Sequence, residues 1–149
     1  MLTGIGEPSL AKRSQVQDPA YKATYRFIWL RSFDAPMIVR IEKSRIDTYR
    51  LTAIRLSGRG GYDKGEIAER VDRTLTKEEV DRLVPVLERA GNRPETHCRL
   101  GLDGAGWMFE EQVGSAYSFR RAWTPKDGPV REVGDAMLAL LPWDTQPRY

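Results

Sequence analysis

Cysteine and histidine are nearly absent from this chain of 149 residues, which contains one of each. With Cys98 alone, no intramolecular disulfide can form, and zinc sites built from several cysteines are excluded. His97 is the sole imidazole, so a serine or cysteine nucleophile would need either His97 or a lysine as its base. Because neighbouring side chains of a strand point to opposite faces, His97 and Cys98 make a poor catalytic pair.

Long apolar runs are missing as well. No stretch approaches the roughly 20 apolar residues of a transmembrane helix, and residues 1–15 have no apolar segment of the kind a secretory signal needs. We therefore expect no transmembrane segment and a cytoplasmic location by default, or a periplasmic one if a signal peptide has been removed. The net charge of only +3 argues against nucleic acid as a partner.

Motifs for cofactors, metals and catalysis are not found. Residues 58–65 contain four glycines, but they match neither G-x-x-x-x-G-K-S/T nor G-x-G-x-x-G, so a hairpin loop is preferred over a phosphate-binding loop. Asp103 with Glu110 or Glu111 is one carboxylate pair among 21 acidic residues, and no metal-ligand spacing is present. We predict no cofactor, no metal site and no catalytic residue.

Three consecutive strands, at residues 23–31, 37–43 and 49–57, dominate what the sequence does contain. In the first of them Tyr25, Phe27 and Trp29 alternate and share one face, while Ile28 lies on the other. A strand that is apolar on both faces is usually central in its sheet or covered twice. The chain is therefore expected to be organised around this strand.

The remaining elements follow from local patterns. Thr76 and Glu79 have the spacing of a capping box that opens a helix ending near Gly91. Strands are expected at residues 107–112 and 117–123, and a second helix from Pro129. The pattern of residues 66–75 is compatible with either a strand or a helix. The predicted fold is α+β, a single antiparallel sheet of five to six strands with two helices packed on one face. The expected domains are a flexible N-terminal arm at 1–20, one α+β domain at 21–143 and a C-terminal tail at 144–149.

Three motifs carry a resemblance to a known family. The stretches YRFIWLRSF at residues 25–33, GGYD at 60–63 and GLDGAGW at 101–107 resemble those of a family of small bacterial proteins that has no established activity. The resemblance covers about residues 25–141. It implies a bacterial protein, and because many members look exported or lipid-anchored, it also implies an envelope location, for which this chain shows no signal.

The function that these observations favour is a non-enzymatic protein-binding module, such as an inhibitor or immunity-type partner of a secreted bacterial toxin or enzyme. Tyrosine, tryptophan and arginine dominate interface energies, and binding residues concentrate on loops. The predicted binding residues are Arg59, Tyr62, Asp63, Lys64 and Arg31.

Other aromatic and turn residues are expected to be structural. Trp29 and Trp107 are expected in the core, and Asp103 is expected to brace its turn by bonding the backbone two residues on. The alternative functions are a small enzyme, or a binder of anionic ligands or nucleic acid that uses an arginine-rich sheet face, with Arg26, Arg31, Arg40, Arg50 and Arg55.

Overall fold

A computed structural model describes residues 2–16, 20–91, 93–94, 101 and 103–149. A short 3-10 helix (Thr3–Ile5) and helix α1 (Leu10–Val16) precede four strands, β1 (Tyr21–Arg31), β2 (Met37–Ser44), β3 (Tyr49–Leu56) and β4 (Ile67–Thr74). Helix α2 (Lys77–Gly91), strands β5 (Ala105–Val113) and β6 (Ala116–Trp123), and helix α3 (Pro129–Leu138) complete the order. Residues 66–75, left open by the sequence, thus contain the strand β4.

The six strands form one antiparallel sheet in the order β4-β3-β2-β1-β5-β6. The predicted α+β class with a single antiparallel sheet is confirmed. β1 lies inside the sheet, paired with β2 on one side and β5 on the other, as its two apolar faces indicate. β4 and β6 are the edge strands, and charged side chains on β4 suit an exposed edge because they disfavour pairing with another chain.

Helices α2 and α3 cover one side of the sheet, here called the helix face. Its core contains Phe27, Trp29, Val39, Leu51 and Trp107, with Leu83 and Leu87 from α2 and Val130, Val133 and Met137 from α3. The capping box of α2 is present, since the Thr76 amide donates to Glu79 at 2.8 Å and the Glu79 amide to the Thr76 hydroxyl at 3.3 Å. In α3, a Cβ at Gly134 would lie 2.4 Å from the Trp107 ring, so glycine lets the helix approach that indole.

The opposite side of the sheet, here called the ionic face, buries charged residues. Arg26, Arg40, Glu42 and Glu110 are all less than a tenth exposed, beside a smaller apolar cluster of Ile5, Ile28, Ile38, Ile54 and Leu56. The N-terminal segment covers this face. α1 contacts β5 and β6, and the Arg13 guanidinium reaches Glu42 at 2.6 Å.

The N-terminal segment therefore differs from the flexible arm that its composition predicted. Within residues 2–16, Leu10 is fully buried and Glu7 is 3% exposed. The physical reason is electrostatic: the Glu7 carboxylate lies 3.1 Å from Arg40 Nε and 3.4 Å from Arg26 Nη1. Buried arginines need such partners, because an unpaired buried charge is strongly destabilising.

The C-terminal residues also pack on the domain. The backbone oxygen of Tyr149 accepts hydrogen bonds from the indole nitrogens of Trp107 at 2.8 Å and Trp29 at 3.2 Å. Arg148 lies 3.2 Å from Asp135 on α3. Residues 144–149, expected to be a tail, thus supply one backbone oxygen, that of Tyr149, as the acceptor for two indole N–H donors of the core.

A surface at the glycine loop

The connection between β3 and β4, residues 58–65, is called the glycine loop. Its two sides are joined by backbone hydrogen bonds from Gly58 to Lys64 at 3.1 Å and from Arg59 to Asp63 at 2.7 Å. The Asp63 carboxylate also accepts from the Gly65 amide at 3.0 Å. The loop is therefore an ordered hairpin connection.

The glycine loop is attached to the neighbouring connection between β1 and β2. The Gly60 amide donates to the Arg31 carbonyl at 2.8 Å, and the Gly61 amide to the Ser32 carbonyl at 3.2 Å. A Cβ at Gly60 would lie 2.6 Å from the Arg31 oxygen, closer than the packing permits. Of the loop's four glycines only Gly65 has a positive φ, at 69°, so close approach is the main requirement for the others.

Two aromatic rings from these adjacent connections lie side by side at the surface. The Phe33 and Tyr62 ring centroids are 6.2 Å apart with planes inclined by 38°. Their exposed fractions are 48% and 76%. Arg59 and Asp63 are exposed next to them along the loop, and Lys64 is half-buried. Together these five residues, Phe33, Arg59, Tyr62, Asp63 and Lys64, are called the loop patch.

Sequence reasoning did not include Phe33 among the binding residues, although it lies in the YRFIWLRSF motif between the first two predicted strands. The available signal was its residue type, since a phenylalanine in a turn of otherwise small and polar residues is unusual. Its proximity to Tyr62, 29 positions further along the chain, depends on the hydrogen bonds that hold the two connections together. Four of the five predicted binding residues, Arg59, Tyr62, Asp63 and Lys64, do lie in this surface.

Arg31, the fifth predicted binding residue, is placed differently. Its side chain is on the helix face and only 6% of the residue is exposed. The guanidinium donates to the Ala35 carbonyl at 3.0 Å and lies over the Trp29 ring, 4.5 Å from its centroid. Burial lowers the pKa of Arg31. Its contribution to the loop patch is made by its carbonyl, which receives the Gly60 amide.

Beneath the loop patch, Asp34 connects the surface to the core. The Asp34 carboxylate accepts a short hydrogen bond from the Tyr149 hydroxyl. Burial, together with the hydrogen bond to Asp34, raises the pKa of Tyr149 to about 12, so the hydroxyl stays protonated as the donor at neutral pH. Trp29 and Trp107, both fully buried, bind the same tyrosine through its backbone oxygen, and all three support the connection that carries Phe33.

Asp103 does not make the backbone contact that its sequence predicted. The amide two residues on, that of Ala105, donates to the Thr124 hydroxyl at 3.0 Å instead. Asp103 itself is exposed. Thr124 has a positive φ of 43°, and its hydroxyl lies at the start of β5, where it accepts the Ala105 N–H. The turn is therefore braced from the end of β6, through a contact between residues 19 positions apart.

The arginines of the strand block do not share one surface. Arg26, Arg40 and Arg50 are on the ionic face, while Arg31 and Arg55 are on the helix face, as the strand registers require. Arg26 contacts Glu110 at 2.5 Å, Arg40 contacts Glu42 at 2.5 Å, and Arg55 pairs with Glu69. These carboxylates neutralise most of the positive charge that an arginine-rich sheet face would offer.

Among the described residues, no cluster of three or more His, Cys, Asp or Glu side chains is arranged to hold a metal ion. His97 and Cys98 lie outside the described residues. No helix within the described part of the chain has the length and apolar character needed to cross a membrane.

Comparisons with known proteins gave no relative for this chain. No family model, no curated protein and no solved structure matches it.

Proposed function

We propose that this protein is a protein-binding module without catalytic chemistry of its own, and that it contacts its partner through the loop patch. The observation that supports this function best is the exposed pair of Phe33 and Tyr62 on two connections joined by backbone hydrogen bonds. Scattered single apolar side chains are normal on a protein surface, but adjacent large rings are a feature of interaction sites.

The rigidity of the glycine loop favours binding. Ordering a loop on association costs free energy, and a loop already held by hydrogen bonds avoids most of that cost. Hydrogen bonds across the loop and to the Arg31 and Ser32 carbonyls restrict the backbone before any partner arrives. Tyr62 is therefore presented in a defined position, as an anchor residue requires.

The charges around the two rings would select the partner. Arg59, Asp63 and Lys64 give the patch both signs of charge with one positive charge in excess. We therefore expect a partner surface with an apolar depression for the rings and a carboxylate opposite Arg59 or Lys64. Such complementary charges raise the association rate and exclude partners with the wrong charge pattern.

Within this class, an inhibitor or immunity-type protein directed at a secreted bacterial toxin or enzyme is the specific form that we propose. Its support is the combination of a compact scaffold and an ordered aromatic surface, with no metal-holding cluster of side chains in the described residues. If the gene beside this one encodes a toxin, co-expression of the two proteins should restore growth that the toxin alone abolishes. Growth that stays abolished would argue against the immunity role and leave protein binding itself untouched.

The test of protein binding uses the full chain as bait in extracts of the source organism, followed by affinity measurement with the purified partner. Phe33→Ala with Tyr62→Ala should weaken binding by at least about 30-fold, since truncating hot-spot residues typically costs 2 kcal/mol or more. The matched control is Ile46→Ala, an 84% exposed residue between β2 and β3, at the other end of these strands. Equal affinities for the double variant and the wild type would contradict the proposed surface.

A further inference from the structure

A pocket of about 420 Å³, open to solvent on one side and here called the cavity, lies between the N-terminal segment and the ionic face. It is separate from the loop patch. Its apolar walls are formed by Leu2, Ile28, Met108 and Phe119, and its polar lining includes Glu7, Arg26 and Glu110. Its size is within the range of small-molecule sites, and such sites combine apolar walls with a few converging polar groups.

The charged side chains that line this cavity are held in place by one another. Arg26, 1% exposed, donates through Nε to Glu110 at 2.6 Å and through Nη1 to the Pro8 carbonyl at 2.6 Å and to Glu7 at 3.4 Å. Its Nη2 lies 2.5 Å from Glu110. Every nitrogen of this guanidinium therefore has an acceptor, and Arg26 has little donor capacity left for a ligand.

The two carboxylates, in contrast, keep acceptor capacity. Glu110 receives Arg26 on Oε2 and the Tyr117 hydroxyl on Oε1 at 2.9 Å. Glu7 receives one N–H from Arg40, shared between its oxygens at 3.1 and 3.3 Å, and the longer bond from Arg26. A carboxylate has about four acceptor positions, so each of these can accept a further donor. The hydrogen-bonding capacity that the cavity offers is thus mainly that of an acceptor.

We propose that this cavity is a binding site for a small amphipathic amine, whose ammonium group donates to Glu7 and Glu110 while its apolar body lies against Ile28, Met108 and Phe119. An ammonium group supplies three donors and no acceptor, which complements the unused capacity described above. The ring of Phe119, 51% exposed at the cavity wall, adds an aromatic surface of the kind that attracts cations.

A carboxylate ligand fits the same cavity poorly. It would bring only acceptors to a lining that offers few donors, namely the Ser9 hydroxyl and the one N–H that Arg26 has left beside its contacts with Glu110, Pro8 and Glu7. The connected charges on this face, Arg13, Arg26 and Arg40 with Glu7, Glu42 and Glu110, sum to zero. The net charge of this face therefore does not decide whether the ligand is a cation or an anion. The hydrogen-bonding capacity of the lining decides it.

The proposal is tested with three six-carbon probes on the full chain at pH 7, namely hexylamine, hexan-1-ol and hexanoate. Backbone amide shifts in NMR spectra locate the site, and their titration gives the affinity. Hexylamine should give saturable shifts at Ile28, Met108 and Phe119. Hexan-1-ol should bind at least about tenfold more weakly, because it lacks the charge-assisted hydrogen bonds, and hexanoate should give no saturable shift.

Two variants connect binding to the assigned residues. Phe119→Ala should weaken hexylamine binding by about fivefold or more through loss of the ring, whereas Ile67→Ala, a partly exposed residue on the opposite edge strand, should not change it. Glu110→Gln should weaken binding by about tenfold. If that variant does not fold, the probe series and Phe119→Ala decide the matter alone.

Several outcomes would overturn the proposal. Hexanoate binding as tightly as hexylamine would identify an anion site, and equal binding of all three probes would leave an apolar cavity without a recognised head group. Shifts centred elsewhere on the protein, or a Phe119→Ala variant that binds hexylamine as well as the wild type, would equally exclude an amine site at this position.

Discussion

The indole nitrogen of Trp107 donates a hydrogen bond of 2.8 Å to the backbone oxygen of Tyr149. The donor lies in the core, and the acceptor residue contacts the connection between β1 and β2. Trp107 is fully buried in the middle of the helix-face core, and Tyr149 continues through its hydroxyl to Asp34, next to Phe33 in the loop patch. The core and the candidate binding surface are therefore connected through the C-terminal residues.

Trp107→Ala should lower the free energy of unfolding by about 3–5 kcal/mol, the usual cost of removing a large buried aromatic side chain. The variant also leaves the Tyr149 oxygen with one indole donor where it had two. Urea denaturation followed by circular dichroism measures the change. Tyr62→Ala, which removes a 76% exposed ring, is the control and should stay within about 0.5 kcal/mol of the wild type. An unchanged midpoint for Trp107→Ala would disprove its structural role.

Glu7→Gln should destabilise the protein by about 3–5 kcal/mol, because it removes the negative charge between two buried arginines. Arg26 and Arg40 would then share a neutral amide, which also offers them one acceptor oxygen in place of two. The measurement is urea denaturation together with hydrogen exchange of the α1 amides, which should speed up. Glu66→Gln, at an exposed carboxylate, is the matched control. Retained protection of α1 in Glu7→Gln would mean that the other contacts of the segment, such as the Arg13–Glu42 ion pair, hold it without Glu7.

Glu79 should make stability depend on pH below about 5. Its two oxygens accept from both terminal nitrogens of Arg73 at 2.7 Å, and this interaction, helped by the Thr76 amide, lowers the pKa of Glu79 from 4.5 to about 2. Because the folded pKa lies below the unfolded one, the stabilisation is present above about pH 4.5 and is lost as pH falls toward 2.

The difference in unfolding free energy between the wild type and Glu79→Gln should therefore shrink steadily between pH 5 and pH 2. Glu78→Gln in the same helical turn serves as a control for the loss of one charge. A difference between the wild type and Glu79→Gln that stays constant over this range would show that the ion pair with Arg73 does not form in solution.

Thr124→Ala should cost about 1 kcal/mol, the typical net value of one hydrogen bond, because the Ala105 amide loses its acceptor. Asp103→Ala should change stability by less than about 0.5 kcal/mol, as expected of an exposed side chain. Thermal or chemical denaturation of both variants tests the pair. The reverse order, with Asp103→Ala the more costly change, would restore the turn-bracing role that the sequence assigned to Asp103.

Much of the fold could be read from the sequence, because local patterns specify it. Alternation in β1 predicted its place inside the sheet, and the spacing of Thr76 and Glu79 predicted the start of α2. The α+β class follows from the order of such elements. The exposure of Arg59, Tyr62 and Asp63 was also expected, since a glycine-rich connection between strands lies at the surface; their role in binding stays a prediction.

Long-range contacts decided the rest, and residue type does not reveal them. An arginine such as Arg26 usually faces solvent. It is buried here because two carboxylates, those of Glu7 and of Glu110, 84 positions away, pair with it on the same face of the sheet. Phe33 is part of a surface because hydrogen bonds hold the β1–β2 connection, which contains Phe33, beside the glycine loop, which contains Tyr62. A charged or aromatic side chain can be stabilised either in water or by a partner, and which of the two applies depends on what the tertiary structure places next to it. The sequence by itself therefore determined the elements and their order, while the tertiary structure decided which polar residues are buried and where an exposed aromatic surface forms.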